Sequence, residues 1–298
     1  MQDIDQNTIR RIADLGCWSG GIAVEPLKGG LSNESFVVAD SEKRAVVRFG
    51  ADFPFHHVFR EREVMAARAA HAAGIGPEVI HAAPGVMVCA WIDGRTYGAD
   101  DVKANAGAVV ELVRRFHETM PAHVRGPGFM FWVFHVIRDY ARTLTDVASR
   151  KVPDLPGYLA LAEELEAVQV PLPIIYGHND LLPANFLDDG ARLWLIDFEY
   201  AGFSTGMFDL AGIASNAEFD AEASDELLAR YFGAPPSGAI RRSLAAMQCA
   251  SLLREAMWSM VSEHYLDAPG ADYVAYTEEN LARLERAIDA YRSRWSGA

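Results

Sequence analysis

The pattern of apolar and polar residues changes character near residue 93. Before it, short runs of alternating apolar and polar residues are separated by turn-forming residues, which is typical of half-buried β-strands. One segment differs, because it is rich in Ala, Arg and Glu and stops at Gly74 ahead of Pro77, as a helix does. The elements predicted here are a helix over 4–15, strands over 22–27, 35–38, 44–48, 78–81 and 85–91, and a helix over 59–73.

From residue 93 onward, apolar residues recur at the spacing of long helices, interrupted by one strand-rich island at 174–198. A β-rich front and a helix-rich back indicate an α+β fold of two lobes, which we place at 1–92 and 93–298. Small ligands usually bind in the cleft between two such lobes. The predicted helices span 101–118, 132–149, 156–168, 206–217, 222–232, 238–264 and 272–294.

The strand-rich island carries the polar residues that are most indicative of chemistry. It contains Asp189-Gly190, a strong signal for a β-hairpin turn, with apolar runs on both sides. Folding at that turn brings Asn185, at the start of the first arm, close to Asp197, at the end of the second. Asp180 lies five residues before Asn185, in a segment that Pro183 keeps from becoming helical. The sequence therefore predicts that these polar side chains meet at the open end of the hairpin.

The three side chains suit phosphoryl transfer from ATP. Mg²⁺ prefers oxygen ligands and typically takes one or two carboxylates together with substrate phosphates, so Asn185 and Asp197 are the predicted metal ligands. The second carboxylate, Asp180, is then free to orient an attacking hydroxyl group and to accept its proton. His178 is interpreted differently, as a histidine that holds this loop by hydrogen bonds.

Composition restricts the partners and the compartment. The 298-residue chain has a formal net charge of −14, which disfavours nucleic acid and anionic membranes and mildly favours cations, although many enzymes are simply acidic. Cys17, Cys89 and Cys249 are far apart and lack CxxC spacing, which argues against disulfides and zinc. The N-terminus lacks a basic head followed by an apolar run, and no apolar stretch approaches the ~20 residues of a membrane span. We therefore expect a soluble, cytoplasmic protein that binds neither nucleic acid nor membrane.

Five segments spaced along the chain form a set of motifs. They are residues 29–35 (GGLSNES), 45–50 (AVVRFG), 74–77 (GIGP), 178–180 (HND) with Asn185, and 195–200 (LIDFEY) followed by 208–210 (FDL). Together they resemble the choline/ethanolamine kinase branch of the aminoglycoside-phosphotransferase-like kinases, over most of the chain. The resemblance implies a protein-kinase-like fold, with a small β-rich N-terminal lobe and a large, mainly helical C-terminal lobe. It also implies an enzyme that uses ATP and Mg²⁺ to phosphorylate a small alcohol.

The resemblance further implies roles for residues on the nucleotide side. A glycine-rich link between two strands would let backbone N–H groups approach the ATP phosphates. Arg48 would grip phosphate oxygens and pair with Glu63 of the following helix. Glu199 would join Asn185 and Asp197 as a ligand of Mg²⁺, and Asp209 would brace the catalytic loop. The implied nucleotide-binding residues are Gly29, Gly30, Leu31, Ser32, Asn33, Arg48, Glu63, Cys89 and Trp91.

The acceptor is predicted to be a small molecule. Only eleven residues separate Asp197 from Asp209, which leaves little room for a segment that docks a peptide. Glu255 and Trp258 are three apart in a predicted helix and share a face, and a cation over Trp258 would gain ~0.5–2 kcal/mol of cation–π attraction. The predicted acceptor is a cationic alcohol such as choline or ethanolamine, and its predicted binding residues are Tyr200, Asn216, Glu255 and Trp258.

Other interpretations stay open on the sequence. Glu255 stands where eukaryotic members of the family carry a second Trp, so thiamine, an aminoglycoside or a sugar-like alcohol are alternative acceptors. A kinase-like nucleotide-binding protein without catalytic activity is an alternative of another class, since Arg48 stands where protein kinases use Lys. A metal-dependent hydrolase using His178, Asp180 and Asp197 would need further His ligands. We expect a monomer or a homodimer.

Overall fold

The computed structural model describes residues 4–27, 34–267 and 271–295, and its first part is built around an antiparallel sheet. The described strands of this sheet are β1 (Ala23–Pro26), β2 (Glu34–Ala39), β3 (Arg44–Phe49), β4 (Val79–Ala83) and β5 (Val86–Ala90). They lie in the order β1-β2-β3-β5-β4, and each strand is antiparallel to its neighbours. The central position of β3 places Arg48, near its end, in the middle of the sheet.

One face of the sheet packs on the first helix. Alternate residues of β2 and β3, including Phe36, Val38 and Val47, are buried, as the period of a strand requires. They form a hydrophobic cluster with Ile12 of α1 (Gln6–Ala13). The second helix, α2 (Arg60–Ala72), joins a separate and larger cluster that extends into the rest of the protein. Helix α2 therefore connects the sheet to the helical part of the fold.

The remainder of the described chain is mainly helical. The long helix α9 is its centre, because it packs against α5, α6, α7 and α10 and is buried along most of its length. Ser237 caps it by accepting a hydrogen bond from the Ile240 N–H group at 3.3 Å. None of the helices described here is both long and apolar enough to cross a membrane. These helices are α3 (Ala99–Ala104), α4 (Ala106–Thr119), α5 (Val133–Asp146), α6 (Leu155–Ala167), α7 (Gly206–Asn216), α8 (Ala221–Phe232), α9 (Gly238–Tyr265) and α10 (Tyr273–Trp295).

Two small sheets lie within this helical part and position the candidate site. The strands are β6 (Arg95–Thr96), β7 (Ile174–Gly177), β8 (Phe186–Asp188), β9 (Leu193–Leu195) and β10 (Gly202–Thr205). The predicted hairpin is confirmed, since β8 and β9 are antiparallel with Phe186 opposite Leu195. Its turn contains Gly190 at a φ of 84°, a left-handed conformation that glycine adopts readily. Strand β6 adds to the hairpin beside β8, and β10 pairs with β7.

The predicted α+β class is confirmed, but three elements differ from the sequence prediction. The helix predicted over 101–118 is two helices, because Asn105 has a non-helical φ of −116° and ψ of 25°. Its side chain donates to the Asp101 carbonyl at 2.9 Å, an interaction that competes with helical hydrogen bonding. The short strands β6 and β10 were not predicted. The boundary at residues 92 and 93 stays a prediction.

Candidate active site

A buried carboxylate holds the loop that follows β7. Asp209 of α7 accepts hydrogen bonds from the backbone N–H groups of His178 at 2.8 Å and Asn179 at 2.7 Å. Nε2 of His117, in α4, lies 2.8 Å from the same carboxylate. Burial acts to raise the pKa of Asp209, but His117 and the backbone N–H groups outweigh it, so the pKa lies below its ordinary value. An ionised Asp209 therefore fixes the loop that presents Asp180.

His178 connects the same loop to the hairpin. Its Nε2 lies 2.9 Å from the carbonyl oxygen of Ile196, the residue that precedes Asp197. The ring is fully buried, and burial lowers its pKa, so the imidazole is neutral and donates to this carbonyl. The side chain thus has the structural role that the sequence analysis gave it.

The three residues predicted to be catalytic are linked by hydrogen bonds to backbone carbonyl groups. Asn185 donates from Nδ2 to the Asp180 carbonyl at 2.7 Å, and the Ile196 N–H group donates to the Asn185 carbonyl at 3.1 Å. Asn179 and Asp197 have φ angles of 62° and 68°, in the left-handed region that non-glycine residues rarely adopt and that recurs at active sites. The fold therefore brings Asp180, Asn185 and Asp197 together at the open end of the hairpin.

Five charged side chains, here called the arginine–carboxylate cluster, link this hairpin to the N-terminal sheet. Arg48 of β3 lies 2.9 Å from Asp197 and 3.0 Å from Glu63 of α2. Arg60, also in α2, pairs with Glu63 at 2.6 Å and with Glu199 at 3.0 Å. Burial acts to raise the pKa of Asp197, but the charge and hydrogen bond of Arg48 outweigh it and hold the pKa below its ordinary value. Burial and the charge of Asp197 raise the pKa of Glu199.

Several oxygens around Asp197 have no hydrogen-bond donor among the described residues. Arg48 occupies Oδ1 of Asp197, whereas Oδ2 and the side-chain oxygen of Asn185 have no hydrogen bond from any described residue. Glu199 contacts Arg48 and Arg60 through Oε2, and its Oε1 makes no ion pair with a described residue. No group of three or more His, Cys, Asp or Glu side chains among the described residues is arranged to hold a metal. A cation here would therefore depend on Asn185 and on substrate oxygens beside Asp197, as is usual for Mg²⁺.

The predicted nucleotide-binding residues are only partly described. Arg48 and Glu63 form the predicted pair. Cys89 lies in β5 opposite Val46, and burial raises the pKa of its thiol to about 12, so it packs as a neutral side chain. The guanidinium of Arg44 lies 4.5 Å from the centre of the Trp91 ring. The remaining residues of this set, Gly29, Gly30, Leu31, Ser32 and Asn33, lie outside the described residues.

Three of the four predicted acceptor-binding residues lie together near Asp180, in a group here called the acceptor wall. Trp258 donates from Nε1 to the Tyr200 hydroxyl at 3.0 Å. Glu255 accepts a hydrogen bond from the Tyr276 hydroxyl at 2.8 Å. Asn216, the last residue of α7, donates to the carbonyl of Leu181 at 3.2 Å, so its amide holds the loop that contains Asp180. The structure therefore places Tyr200, Glu255 and Trp258 in one aromatic and acidic wall.

Several residues of this wall were not predicted. Arg254 is buried and its guanidinium lies 4.5 Å from the centre of the Tyr200 ring. His56 stacks on Trp258 with ring centroids 4.9 Å apart, and its Nδ1 lies 3.2 Å from the hydroxyl of Tyr140. The sequence contains only an indirect signal for Arg254, because this residue directly precedes Glu255 in the helix predicted to bind the acceptor.

Charge and burial at Asp180 suit a proton acceptor. Burial is the main effect on this carboxyl and raises its pKa well above the ordinary value, while the positive charge of Arg254 acts in the opposite direction. Among the described residues no side chain makes a hydrogen bond to the Asp180 carboxylate. A carboxylate with a raised pKa and free oxygens is a stronger base than an exposed one once it is ionised.

Comparison with protein families identifies the chain's relatives. Residues 23–245 match the model of the phosphotransferase enzyme family, known as APH. The match covers the sheet, the catalytic loop and most of the helical part. The chain belongs to this family.

Individual relatives carry kinase names. A probable ethanolamine kinase of Arabidopsis thaliana is 27% identical in an alignment 206 residues long that covers 63% of this chain and 54% of that protein. A crystal structure of a choline/ethanolamine kinase family protein from Mesorhizobium loti is 28% identical, covers 95% of this chain and 94% of its own, and superposes with a TM-score of 0.76. A choline kinase structure from Streptococcus pneumoniae, 19% identical, covers 96% of this chain and 99% of its own with a TM-score of 0.77, which shows the shared fold. The chain spans about half the length of the Arabidopsis relative.

Proposed function

We propose that the protein transfers the γ-phosphoryl group of ATP to the hydroxyl group of a small alcohol, with amino alcohols such as choline and ethanolamine as the leading acceptors. The observation that carries the proposal is the convergence of Asp180, Asn185 and Asp197 at the open end of the β8–β9 hairpin. Membership of a phosphotransferase family supports it independently.

Asp180 is the group that handles the proton. As the acceptor oxygen bonds to the γ-phosphorus, its proton passes to the Asp180 carboxylate and the bond to ADP breaks. The brace from Asp209 fixes the backbone on which Asp180 is presented, at hydrogen-bond distances of 2.7 and 2.8 Å. Positioning of this kind supplies much of the rate in phosphoryl transfer, because there is little covalent chemistry for the protein to perform.

Asn185 and Asp197 are the residues that would hold Mg²⁺. The ion would neutralise charge that develops on the phosphates during transfer. Arg48 keeps Asp197 ionised and oriented through the 2.9 Å contact, and its remaining donors suit phosphate oxygens. Glu63 holds Arg48 from the other side at 3.0 Å.

The acceptor wall supports an amino alcohol. Arg254 covers one face of the Tyr200 ring and His56 covers one face of Trp258, which leaves the opposite faces for an ammonium group. Glu255 adds a carboxylate, which is paired with Arg254 at 2.9 Å. An ammonium group is attracted to ring faces and to carboxylates alike. Relatives with ethanolamine and choline kinase names at 24–28% identity agree with this acceptor class.

A panel of acceptors tests the proposal. The protein is incubated with ATP, Mg²⁺ and either choline, ethanolamine, thiamine, an aminoglycoside or a sugar alcohol, and phosphorus NMR detects a new phosphomonoester. We expect one amino alcohol to be phosphorylated, Asp180→Ala to abolish the product while nucleotide binding survives, and Asp197→Ala to lose Mg²⁺-dependent nucleotide binding. Asp289→Ala, on the exposed face of α10, is the matched control. Nucleotide binding without any phosphomonoester would instead indicate a non-catalytic nucleotide-binding protein.

A further inference from the structure

A buried arginine in the acceptor wall has donors that the protein does not use. Arg254 is 4% exposed. Its Nη1 donates to Glu255 at 2.9 Å, whereas Nε and Nη2 are shielded from solvent and have no hydrogen-bond partner among the described residues. A buried charged donor that lacks a partner is unfavourable, and native proteins rarely retain one without a functional reason.

The two unused donors lie on the same edge of the guanidinium. The N–H group of Nε and one N–H group of Nη2 point in parallel, which is the arrangement that binds both oxygens of a carboxylate at once. Glu255 occupies the opposite end of the group, at Nη1. The free edge is therefore the one best suited to a planar anion.

Arg254 is close enough to Asp180 for its charge to act on that carboxylate, where the acceptor hydroxyl is proposed to react. The guanidinium lies over the Tyr200 ring. Its positive charge acts to lower the pKa of Asp180, His56 and Tyr140. A cation near Asp180 would also help to keep that carboxylate ionised. Any cation could keep Asp180 ionised, however, so this effect does not explain why the N–H groups of Nε and Nη2 lack partners.

We propose that Arg254 binds a carboxylate of the acceptor through Nε and Nη2, so that the acceptor is an alcohol that carries a carboxylate as well as its amino group. The inference rests on the proposed function, because it concerns the acceptor of the same reaction. Since neither nitrogen has solvent-accessible surface, the acceptor reaches this edge only by shifting the side chains that shield it.

Matched acceptors that differ only in a carboxylate test the inference. Suitable pairs are ethanolamine with serine, and 1-amino-2-propanol with 4-amino-3-hydroxybutanoate. We expect the carboxylate member of at least one pair to have a kcat/KM at least tenfold higher. Arg254→Met, which keeps much of the bulk, should remove that preference, and Arg254→Lys, which keeps the charge but not the paired donors, should restore only part of it. Arg241→Met, in the same helix and paired with Asp225 at 2.8 Å, should retain the full preference.

Binding measured without turnover separates the two proposals. Calorimetric titration of the same compounds into the protein with Mg²⁺ and a non-hydrolysable ATP analogue reports acceptor binding alone. Transfer to amino alcohols with no carboxylate preference would overturn the inference and leave the proposed function standing. Arg254-dependent binding of the carboxylate compounds without transfer would support the inference and refute the proposed function. Equal preference in the wild type and in Arg254→Met would overturn the inference in either case.

Discussion

Replacing Arg48 tests whether the arginine–carboxylate cluster joins the N-terminal sheet to the β8–β9 hairpin. In Arg48→Met, Asp197 loses its one cationic partner among the described residues. Glu63 and Glu199 both keep Arg60, at 2.6 and 3.0 Å. The substitution still removes the contacts of Arg48 to Glu63 at 3.0 Å and to Glu199 at 3.6 Å, so a double-mutant cycle is needed to isolate the contact between Arg48 and Asp197.

The size of that contact can be bounded from the structure. For unit charges 2.9 Å apart, Coulomb's law gives about 1.4 kcal/mol at the dielectric constant of water and about 6 kcal/mol at an effective value of 20. The Asp197 side chain is 32% exposed and that of Arg48 18%, so solvent screens part of the attraction. We expect a coupling free energy of about 2 kcal/mol, within the range measured for residues in one ion-pair network.

A double-mutant cycle measures this coupling. The wild type, Arg48→Met, Asp197→Asn and the double variant are unfolded in urea and followed by circular dichroism, with one common m value as the condition for comparing them. The control cycle uses Arg230→Met and Glu226→Gln, a pair whose side chains are 51% and 58% exposed. Its coupling should not exceed about 0.5 kcal/mol and should disappear in high salt.

The reasoning is refuted if the Arg48 and Asp197 substitutions are additive. A coupling as small as that of the exposed pair would mean that solvent screens the cluster fully. The 2.9 Å contact would then contribute nothing to the stability of the hairpin. Persistence of the coupling in high salt would support a shielded contact.

Two further predictions concern the catalytic loop. Asp180→Asn should abolish transfer yet stabilise the protein by about 0.5–2 kcal/mol at pH 8 in thermal or urea unfolding, since activity is often maintained at a cost in stability. Burial raises the folded-state pKa of Asp180 above its unfolded value. The wild type therefore loses stability as the pH rises from the unfolded pKa toward the folded pKa. The stability advantage of the variant should grow over that pH interval and vanish below about pH 4. His117→Phe should destabilise the protein by about 3 kcal/mol in urea unfolding, because it leaves the buried Asp209 carboxylate without its side-chain partner. It should also lower kcat more than it raises the KM for ATP, and unchanged values of both would contradict the role of the brace.

Local sequence signals were sufficient to predict the hairpin and the meeting of Asp180, Asn185 and Asp197 at its open end. Asp-Gly is one of the few residue pairs that adopt the backbone conformation of a tight hairpin turn, so Asp189-Gly190 alone predicts the turn. The pairing of the two strands then decides which residues meet at the open end. The pairing of Arg48 with Glu63 followed from the resemblance rather than from any local rule. Strands β6 and β10 have two and four residues, too few for alternation to be visible, and each pairs with a strand that is not its neighbour in the chain.

Residues buried by distant contacts could not be predicted. Arg254 lies among apolar residues of α9, and an arginine in a helix is usually exposed. Its burial depends on Tyr200, fifty-four residues earlier in the chain. His56 belongs to a short turn, Pro54–His56, without hydrophobic periodicity, and its partners Tyr140 and Ser262 come from two separate helices. In both cases the tertiary fold decides the environment.

One short segment of the N-terminal part contacts both ends of the candidate site. Arg48 reaches Asp197, and His56, eight residues later, stacks on Trp258 in the acceptor wall. Burial, with the charge of Arg254, lowers the pKa of His56 to about 2, so this ring is neutral and its contact does not vary with pH in the working range of an enzyme. The two contacts differ in kind, since one is an ion pair and the other is ring packing. Because a single segment makes both contacts, a displacement of that segment would move the partner of Asp197 and the partner of Trp258 together.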